Sequence, residues 1–496
     1  MRYQIMYIPI FIGLFLVVGF APSCNPAGLD DPDPIIEETG DVDLYVSYAN
    51  KSLLFEHIPI FFNEKLNKDF TSTIWVDPTT KYQEIDGFGV AITGSSCYNL
   101  LHMTDENRED LLKETFDPVE GVGYSYIRIS IGCSDFSLDE YTCCDTPGIE
   151  NFAIHDLDKR DLIPILKEIL AINPNLKIMA SPWTCPRWMK VNNLNQLEPY
   201  ESWTSGQLNP LYYQDYATYF VKFIEGMEQE GIPIESITIQ NEPLNRGNSA
   251  SLYMTWQEQA AFIKNAMGPA FQDAGLDTKI VVFDHNFNYD NVSDQQDYPL
   301  KIYADAEAAS YVDGAAYHAY GGNVSEMLAV HNTAPDKNLY FTEMSIGSWS
   351  YSFESDLMWS MKNLGIGVLN NYGKAVIVWN YMLDENGAPN RPGGCTTCYG
   401  AIEIDSKDFK TLDRKSHYYL IAHLSKVISP GSTRIGTNGY TTDNLYYTAV
   451  ANPDGTIGVV LLNDSEHSIK ITLDDENHSF PLTIAPKSIA SCKWKK

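Results

Sequence analysis

The chain is poor in basic residues for its length. Lys and Arg number 34 against 65 Asp and Glu among 496 residues, which gives a formal net charge of −31. A negative field of this size repels phosphate backbones and anionic membrane surfaces, so we expect no nucleic-acid partner. Apolar residues form 44% of the chain and aromatic residues 12%, which is enough for a large buried core, so the protein is globular.

The N-terminus lacks a hydrophobic run long enough for a comfortable membrane span. Its apolar stretch, Ile5 to Phe20, lies between a short positive start and Ala21-Pro22-Ser23-Cys24, which predicts an export signal over residues 1–24. These small residues are similar to a bacterial lipobox, in which the cysteine is lipidated, although Ala21 and Pro22 are unusual there. We expect Cys24 to anchor an exported protein at the outer membrane or cell surface. The alternative is ordinary cleavage, which gives a periplasmic or secreted protein.

Paired cysteines of the kind that bind zinc are scarce. Only one Cys-x-x-Cys pair occurs, Cys395 with Cys398, whereas a zinc site usually needs two such pairs or matched histidines. We therefore predict no metal, and we predict no cofactor. For this pair and for Cys143-Cys144, loop-stapling disulfides and free thiols are both open in an oxidising compartment. Three cysteines beside predicted strand ends are expected to be small buried thiols, namely Cys97, Cys133 and Cys185.

No internal repeat of solenoid period is present, and strand-like and helix-like segments alternate through most of the chain. Short apolar runs bounded by turn or polar residues predict eight strands, at Ile85–Ile92, Tyr124–Ser130, Lys177–Ser181, Ser236–Gln240, Lys279–Phe283, Gly314–His318, Asn338–Thr342 and Ala375–Trp379. Helical periodicity predicts Asp158–Ile172, Tyr212–Glu228, Trp256–Ala274, Tyr298–Ala309, Glu354–Leu369 and, last, Arg414–Val427. This alternation predicts an α/β fold, a (β/α)8 TIM barrel with a parallel core.

The two ends of the chain differ from this centre. Residues 25–42 are rich in acid and proline and lack periodicity, which predicts a flexible acidic linker. Residues 43–80 and 429–496 contain short strand-like runs separated by turns, which predicts an antiparallel β module. We expect both segments to form one β-sandwich attached to a catalytic barrel of residues 81–428.

Two glutamates each end an apolar, β-branched run. Glu242 stands in Gln240-Asn241-Glu242-Pro243, and Glu343 in Tyr340-Phe341-Thr342-Glu343. In a (β/α)8 barrel, catalytic residues lie at the C-terminal ends of different strands. Such a carboxylate pair suits glycoside hydrolysis, in which one group protonates the leaving oxygen and the other attacks the sugar's oxocarbenium-like carbon. A single glutamate at a strand end is usually a solvated carboxylate or a helix cap, so the pair gains its meaning from context.

Eight motifs in order along nearly the whole mature chain make the sequence similar to glycoside hydrolase family 30, the glucosylceramidase and β-1,6-glucanase-like enzymes of clan A. They are Ile85-Asp86-Gly87-Phe88-Gly89, Ile127-Arg128-Ile129-Ser130, Cys133-Ser134-Asp135-Phe136-Ser137, Ala180-Ser181-Pro182-Trp183-Thr184-Cys185-Pro186, Asn241-Glu242-Pro243, His318-Ala319-Tyr320, Thr342-Glu343 and Trp379-Asn380. The resemblance implies a barrel with an attached β-sandwich built from both chain ends. It also implies a retaining β-glycosidase in which Glu242 is the general acid/base and Glu343 the nucleophile.

The resemblance implies roles for the neighbours of these glutamates. Arg128 would hold Glu343 ionised by charge pairing, the alternative being an ordinary salt bridge inside the barrel. Asn241 would hydrogen-bond the sugar 2-hydroxyl, an interaction that strengthens in the transition state. Tyr320 would hydrogen-bond the nucleophile.

Three further residues of these motifs have two interpretations each. For His318, two roles are equally open, that of a structural hydrogen-bond donor and that of a proton carrier. Trp183 and Trp379 suit packing on the C–H face of a pyranose, against plain core packing. Both lie at strand ends, where ligand contact is favoured.

Gly94 marks a departure from the family pattern. Glucosylceramidases carry an aspartate that binds the outer hydroxyls of a terminal glucose where Gly94 stands in this chain. A glycine leaves room for a chain that continues through the 6-hydroxyl, so we predict an endo-acting β-1,6-glucanase. An acceptor from another loop, at Asp135, Asp145 or Asp284, would restore an exo-acting β-glucosidase or glucosylceramidase, which is the alternative. Xylan- or fucose-directed activity ranks behind both.

The competing class is a catalytically silent glycan-binding surface lipoprotein on the same barrel. Both glutamates, together with Arg128 and Asn241, argue against it, because a binding module needs neither an acid nor a nucleophile. We expect a monomer that acts on a polysaccharide or β-glucoside and meets a membrane only through its N-terminal lipid.

Overall fold

Eight short parallel strands form the centre of the molecule. The computed structural model describes residues 40–63, 71–287 and 292–496. From first to eighth, the barrel strands are Gly87–Val90, Tyr126–Ile131, Lys177–Pro182, Ser236–Thr238, Lys279–Asn286, Val312–His318, Asn338–Glu343 and Gly373–Val378. The eighth strand pairs with the first, and a parallel bridge between Ala91 and Arg128 joins the end of the first to the second. The strands therefore close into a barrel, which confirms the predicted (β/α)8 core.

Helices cover the outside of this barrel. The α-helices are Gly94–His102, Asp105–Phe116, Ile163–Ile172, Tyr213–Gln229, Trp256–Phe262, Gly268–Ala274, Tyr298–Tyr303, Ala306–Tyr311, Ser325–Thr333, Phe353–Ser360, Gly367–Asn370 and Ser416–Val427. Wider π-helical turns at Asp158–Leu162, Ile263–Met267 and Met361–Ile366 continue several of them. Single 3-10 turns occur at Ile149–Asn151, Arg187–Met189, Pro210–Tyr212 and Ser293–Gln295.

Three helices lie outside the predicted segments, namely Gly94–His102, Asp105–Phe116 and Ser325–Thr333. Gly94–His102 opens with glycine and serines, which are weak helix formers, so propensity alone does not indicate it. The fold supplies what propensity lacks, because the Thr93 side chain accepts a hydrogen bond from the Ser96 N–H and caps this helix.

Both ends of the chain build one β-sandwich. In spatial order its strands are Glu56–Ile60, Val42–Tyr48, Ser488–Lys495, Thr456–Asn463, Leu445–Ala451, Thr433–Gly439, Thr73–Glu84, Ile469–Asp474 and Ser479–Ile484. Val42–Tyr48 pairs antiparallel with Ser488–Lys495 along its whole length. The sheet folds over itself, since Phe480 on its last strand packs edge-on against Trp494 with ring centroids 5.3 Å apart. The predicted sandwich from both termini is confirmed.

The helix Ser416–Val427 joins the barrel to the sandwich. Every residue in it except Lys426 is buried. The two ring nitrogens of His423 lie 2.8 Å from the Ser47 hydroxyl and 2.9 Å from the Ser491 hydroxyl, one on each terminal strand of the sandwich. Sandwich residues also belong to the apolar core that surrounds the barrel, namely Val450, Val460, Leu462 and Ile489. The two parts therefore share one continuous core.

Short strands and one disulfide order the longer loops. These strands are Lys190–Val191, Gln207–Leu208, Ile346–Gly347, Met382–Asp384, Cys398–Tyr399, Ile402–Ile404 and Leu412–Arg414. Cys395 and Cys398 form a disulfide, so the loop-stapling alternative holds for this pair. The buried free thiols are Cys97, Cys133, Cys143, Cys144, Cys185 and Cys492.

The predicted signal of residues 1–24, with Cys24, lies outside the described residues, as does almost all of the predicted linker. The first strand begins at Val42, where that linker was predicted to end. Within the described part of the chain, the helices include none whose length and apolarity suit a bilayer crossing.

Candidate active site

Polar side chains replace apolar ones at one level of the barrel interior. An apolar cluster inside the barrel contains Tyr126, Met179, Ala316, Tyr340 and Ile377. Two residues further along the same strands stand Arg128, Ser181, His318, Thr342 and Trp379. Residues two apart on a strand point to the same side, so this second set forms the interior layer nearer the carboxyl ends of the strands. The site is therefore built on the rigid strands themselves.

Asp284 is the central acceptor of this polar layer. Its carboxylate accepts hydrogen bonds from Arg128 Nη2 at 2.7 Å, Thr238 Oγ1 at 2.6 Å and Thr342 Oγ1 at 2.7 Å, and it lies 3.0 Å from His318 Nε2. Burial acts to raise its pKa, but the charges of Arg128 and His318 hold that pKa well below the usual range. The idea that Asp284 binds an outer sugar hydroxyl is wrong, because protein donors already occupy both oxygens.

Arg128 joins the predicted nucleophile to this acceptor. Its Nη1 donates to Glu343 Oε2 at 2.6 Å, and its Nη2 donates to Asp284 and, at 2.7 Å, to Asn241 Oδ1. The guanidinium has no exposed surface. Because Asn241 uses its oxygen to accept from Arg128, its amide presents Nδ2 as the remaining donor.

Two tryptophans pack against the same guanidinium. The Arg128 Cζ atom lies 4.9 Å from the Trp183 ring centroid and 5.6 Å from that of Trp379. The two indoles stack on each other with centroids 5.0 Å apart, and each side chain is only 2% exposed. Both rings also line the pocket described below, so core packing holds for each ring, and ligand contact stays a prediction.

Glu343 lies at the end of the seventh strand between a cation and a phenol. Its Oε1 accepts from the Tyr320 hydroxyl at 3.1 Å, and Tyr320 also donates toward Ser345 Oγ at 3.0 Å. Burial raises the pKa of Glu343, and the charges of His318 and Arg128 oppose that rise. The ion pair with Arg128 favours the carboxylate form, which a nucleophile requires.

Glu242 is held from two sides. Asn245 Nδ2 and Asn248 Nδ2 each donate to its Oε2 at 2.7 Å, while its Oε1 lies 3.2 Å from His318 Nδ1. Its backbone has φ of 45°, a left-handed conformation uncommon for glutamate, and its N–H donates to the carbonyl oxygen of Asp284. The loop after the fourth strand thus turns the side chain into the barrel mouth.

The contact between Glu242 and His318 shifts the pKa values of both groups. Burial acts to raise the pKa of Glu242, but the hydrogen bond from His318 and the charge of His285 lower that pKa to about 2. Burial acts to lower the pKa of His318, but Glu343 and the hydrogen bond with Asp284 raise it to about 9. A proton on His318 Nδ1 favours ionised Glu242, whereas the tautomer with Nε2–H on Asp284 leaves Nδ1 as an acceptor for a protonated Glu242.

The two glutamates lie close together. One carboxylate oxygen from each, with a ring nitrogen of His318, fall within 4.8 Å of one another. This separation matches the retaining class of glycosidases, whose carboxyls stand about 5–5.5 Å apart, rather than the inverting class at about 6.5–9.5 Å. Among the described residues, Glu242, His318 and Glu343 are also the one cluster of His, Cys, Asp or Glu side chains whose ligand atoms lie close enough to hold a metal ion. Arg128 and the bonded His318 already supply cationic partners, so the arrangement disfavours an added cation.

These groups face a pocket of about 330 Å³. It is lined by Asp135, Trp183, Glu242, Asn245, Asn248, Asn286, Tyr320, Glu343, Ser345, Trp349, Trp379 and Cys398. Asp135 Oδ1 is buried and has no hydrogen-bond partner among the described residues. Burial and the charge of Glu343 raise the pKa of Asp135 to about 7. A buried carboxyl oxygen without a partner at a pocket wall is suited to accept a hydrogen bond from a ligand hydroxyl.

Gly94 is not among the residues that line this pocket. A side chain there would meet Ser137 Cα at 3.5 Å and the Phe136 carbonyl oxygen at 3.6 Å, so the position faces a neighbouring loop. Asp145 is engaged within its own loop, since it accepts a hydrogen bond from Thr142 Oγ1 at 2.7 Å. Of the three aspartates predicted as substitutes, Asp135 alone lines the pocket. The room that Gly94 was predicted to leave for a continuing glucan chain therefore does not lie in the pocket beside the two glutamates.

Sequence reasoning missed several members of the site, namely Asn245, Asn248, Asn286, Ser345 and Trp349. Asn245 and Asn248 follow Glu242 on one loop, so their position beside the motif was the available signal. Ser345 and Trp349 follow Glu343 at similar spacings, but position alone does not indicate which loop residues turn toward the pocket.

The family comparison matches both parts of the chain. The description "Glycosyl hydrolase family 30 TIM-barrel domain" matches residues 85–428, and "Glycosyl hydrolase family 30 beta sandwich domain" matches residues 431–492. The chain is 32% identical over 428 residues to an endo-1,6-β-D-glucanase of Aspergillus fumigatus, covering 81% of this chain and 83% of that one. It is 28% identical to the lysosomal acid glucosylceramidase of Mus musculus, covering 95% and 93%. A solved endo-β-1,6-glucanase structure superposes with TM-score 0.89 at 54% identity, covering 92% of this chain and 100% of that chain.

Proposed function

Because the chain belongs to glycosyl hydrolase family 30, and is therefore a glycosidase of a retaining family, we propose that it is an endo-acting β-1,6-glucanase. The observation that carries this proposal is the 54% identity over 92% of the chain to a solved enzyme of that name, with both glutamates at one pocket. The relative from Aspergillus fumigatus has the same printed activity.

The roles that we propose follow from the hydrogen bonds. Ionised Glu343 attacks the anomeric carbon, while Glu242 gives the proton that it shares with His318 to the glycosidic oxygen, so the carbon–oxygen bond breaks. A covalent glycosyl-enzyme remains. Glu242 then removes a proton from water as the water attacks the same carbon, which frees Glu343 and retains configuration.

The polar groups of the pocket support binding of a neutral sugar in the reacting position. Asn241 Nδ2 is the donor that the proposal assigns to the 2-hydroxyl, an interaction that strengthens in the transition state. Asp135 supplies an acceptor for an outer hydroxyl, and Trp183 and Trp379 supply an apolar wall. An acidic pocket with these groups disfavours anionic substrates.

Product analysis tests the specificity. We expect the protein to release oligosaccharides early from linear β-1,6-glucan, and to act less on β-1,3-glucan, xylan and glucosylceramide, with Glu343→Gln inactive on all four. Glucose as the sole early product would contradict endo action. The relative from Mus musculus favours glucosylceramidase as the second candidate, and faster turnover of glucosylceramide than of glucan would establish it.

Leaving-group dependence tests the assignment of Glu242. We expect Glu242→Gln to lose most activity, by roughly 10²–10⁴-fold, on substrates whose leaving group needs protonation, and far less on aryl glycosides with acidic leaving groups. Equal losses on both kinds of substrate would contradict the acid/base role. Glu225→Gln, the same substitution at an exposed position of the outer helix Tyr213–Gln229, serves as the matched control.

We also propose that the protein is exported, is lipid-anchored through Cys24 and acts as a monomer. The motif around Cys24 supports the anchor, and the net charge of −31 disfavours other contact with an anionic membrane. Metabolic labelling with a clickable fatty acid should mark the wild type and spare Cys24→Ala. Equal labelling of both would contradict the anchor. Sedimentation of a chain of residues 40–496 measures its oligomeric state, which we expect to be monomeric.

A further inference from the structure

Trp349 has an unusual position for a tryptophan. Its side chain is 53% exposed, yet it lines the pocket that contains Glu242 and Glu343. An exposed indole beside a polar pocket offers an apolar face on which a sugar that enters the pocket can pack.

The loop that carries Trp349 is fixed at several points. Ile346–Gly347 pairs with Cys398–Tyr399, the Ser348 N–H donates to the Thr397 carbonyl oxygen at 2.8 Å, and Cys398 is tied to Cys395. The indole also lies against Gly347, where an added Cβ would stand 2.0 Å from a ring atom. The ring therefore has one face on its own backbone and is held in place before any ligand binds.

Exposure divides the pocket into two parts. Trp183 and Trp379 are each 2% exposed and contact Arg128, the partner of Glu343, so the reacting sugar belongs in this buried part. Tyr320 at 43% and Trp349 at 53% are the exposed aromatic residues of the lining. Glucosyl units next to the reacting sugar, the leaving unit among them, therefore lie in the exposed part.

We propose that Trp349, braced by the Cys395–Cys398 loop, is the binding platform for the glucosyl unit on the leaving-group side of the cleaved bond. A pyranose offers a C–H face that packs on an indole, and a ring fixed beforehand loses little conformational entropy on binding. This inference rests on the proposed action on β-1,6-glucan and adds to it a determinant of chain-length preference.

The test compares two substrates. β-Gentiobiosyl fluoride fills the buried part and has a single fluoride as its leaving group, whereas β-1,6-glucan places a sugar on Trp349. We expect Trp349→Ala to lower kcat/KM for glucan roughly tenfold and to leave turnover of the fluoride near the wild-type rate. Trp349→Phe should recover most of the loss, since it keeps an apolar ring.

Trp359→Ala is the matched control, because Trp359 is 44% exposed on the helix Phe353–Ser360 and does not line the pocket. The double variant Cys395→Ser with Cys398→Ser should show a weaker form of the same substrate-selective loss. Equal losses on glucan and fluoride, or a Trp349→Ala effect no larger than that of Trp359→Ala, would overturn the proposal. Wild-type protein inactive on β-1,6-glucan would instead overturn the proposed function.

Discussion

The contact between Glu242 and His318 bears on the acid/base role that we propose for Glu242. His318 lies between Glu242 Oε1 at 3.2 Å and Asp284 Oδ1 at 3.0 Å, so its two ring nitrogens bridge the two carboxylates. Ionised Asp284 favours a proton on Nε2, which leaves Nδ1 free to accept from Glu242 or donate to it. We propose that His318 takes part in this proton transfer, and the pH dependence of activity tests that role.

A pH prediction follows at this residue. The shared proton is present below the raised pKa of about 9 and is lost above it, so kcat/KM should fall as pH rises through that region. In His318→Gln, Glu242 must hold the proton alone while Asn245 and Asn248 favour its ionised form. The pH at which kcat/KM falls on the alkaline side should then be lower by about one unit or more.

The matched control is His331→Gln, since His331 stacks on Tyr372 away from the pocket and should leave the profile unchanged. An unchanged alkaline limb in His318→Gln would contradict proton sharing. Loss of activity at every pH without a shift would indicate a purely structural histidine.

At the scale of elements, a polar cap stabilises the start of one helix, and that helix in turn contacts a barrel strand. Thr255 and Glu258 form a reciprocal capping box at the start of Trp256–Phe262. On the same helix, Gln259 accepts a hydrogen bond from the Phe283 N–H on the fifth strand, one residue before Asp284. The cap therefore supports the strand that carries the central acceptor.

Removal of this cap should be measurable. We expect Thr255→Ala to lower the free energy of unfolding by about 1 kcal/mol, because the Glu258 N–H loses its acceptor and the Glu258 carboxylate loses the Thr255 hydroxyl. Thr218→Ala, on the exposed face of Tyr213–Gln229, is the control and should change stability little. Chemical denaturation of both variants measures the difference, and equal midpoints would contradict the role of the cap.

Strand alternation was visible in the sequence, whereas the breaks in the helices were not. The segment predicted as one helix over Trp256–Ala274 contains a π-helical turn at Ile263–Met267. Hydrophobic periodicity does not resolve such a turn, since one added residue per turn barely changes a short pattern.

At the scale of the whole molecule, the barrel and the sandwich form a single folding unit. The helix Ser416–Val427 buries its surface against both, and the strand Val42–Tyr48 pairs with the last strand of the chain. The first and last segments of the described chain therefore meet in one sheet.

Truncation should expose this dependence. A chain of residues 81–428 leaves the helix Ser416–Val427 without its sandwich neighbours and should be largely insoluble or bind a hydrophobic dye. A chain of residues 40–496 should be soluble, monomeric and active. A cooperative thermal transition in the isolated barrel, with activity retained, would contradict the shared core.

The sequence by itself determined the barrel, the attachment of both termini and the positions of Glu242 and Glu343. Those properties follow from local periodicity and from motifs at strand ends, which short stretches of chain encode. Tertiary structure decided which neighbours reach the glutamates. Closure of the barrel brings Asp284 to Arg128 and His318, loop pairing brings Trp349 to the pocket, and the fold of another loop turns Gly94 away from it. These contacts join residues far apart in the chain, and no local pattern specifies such distances.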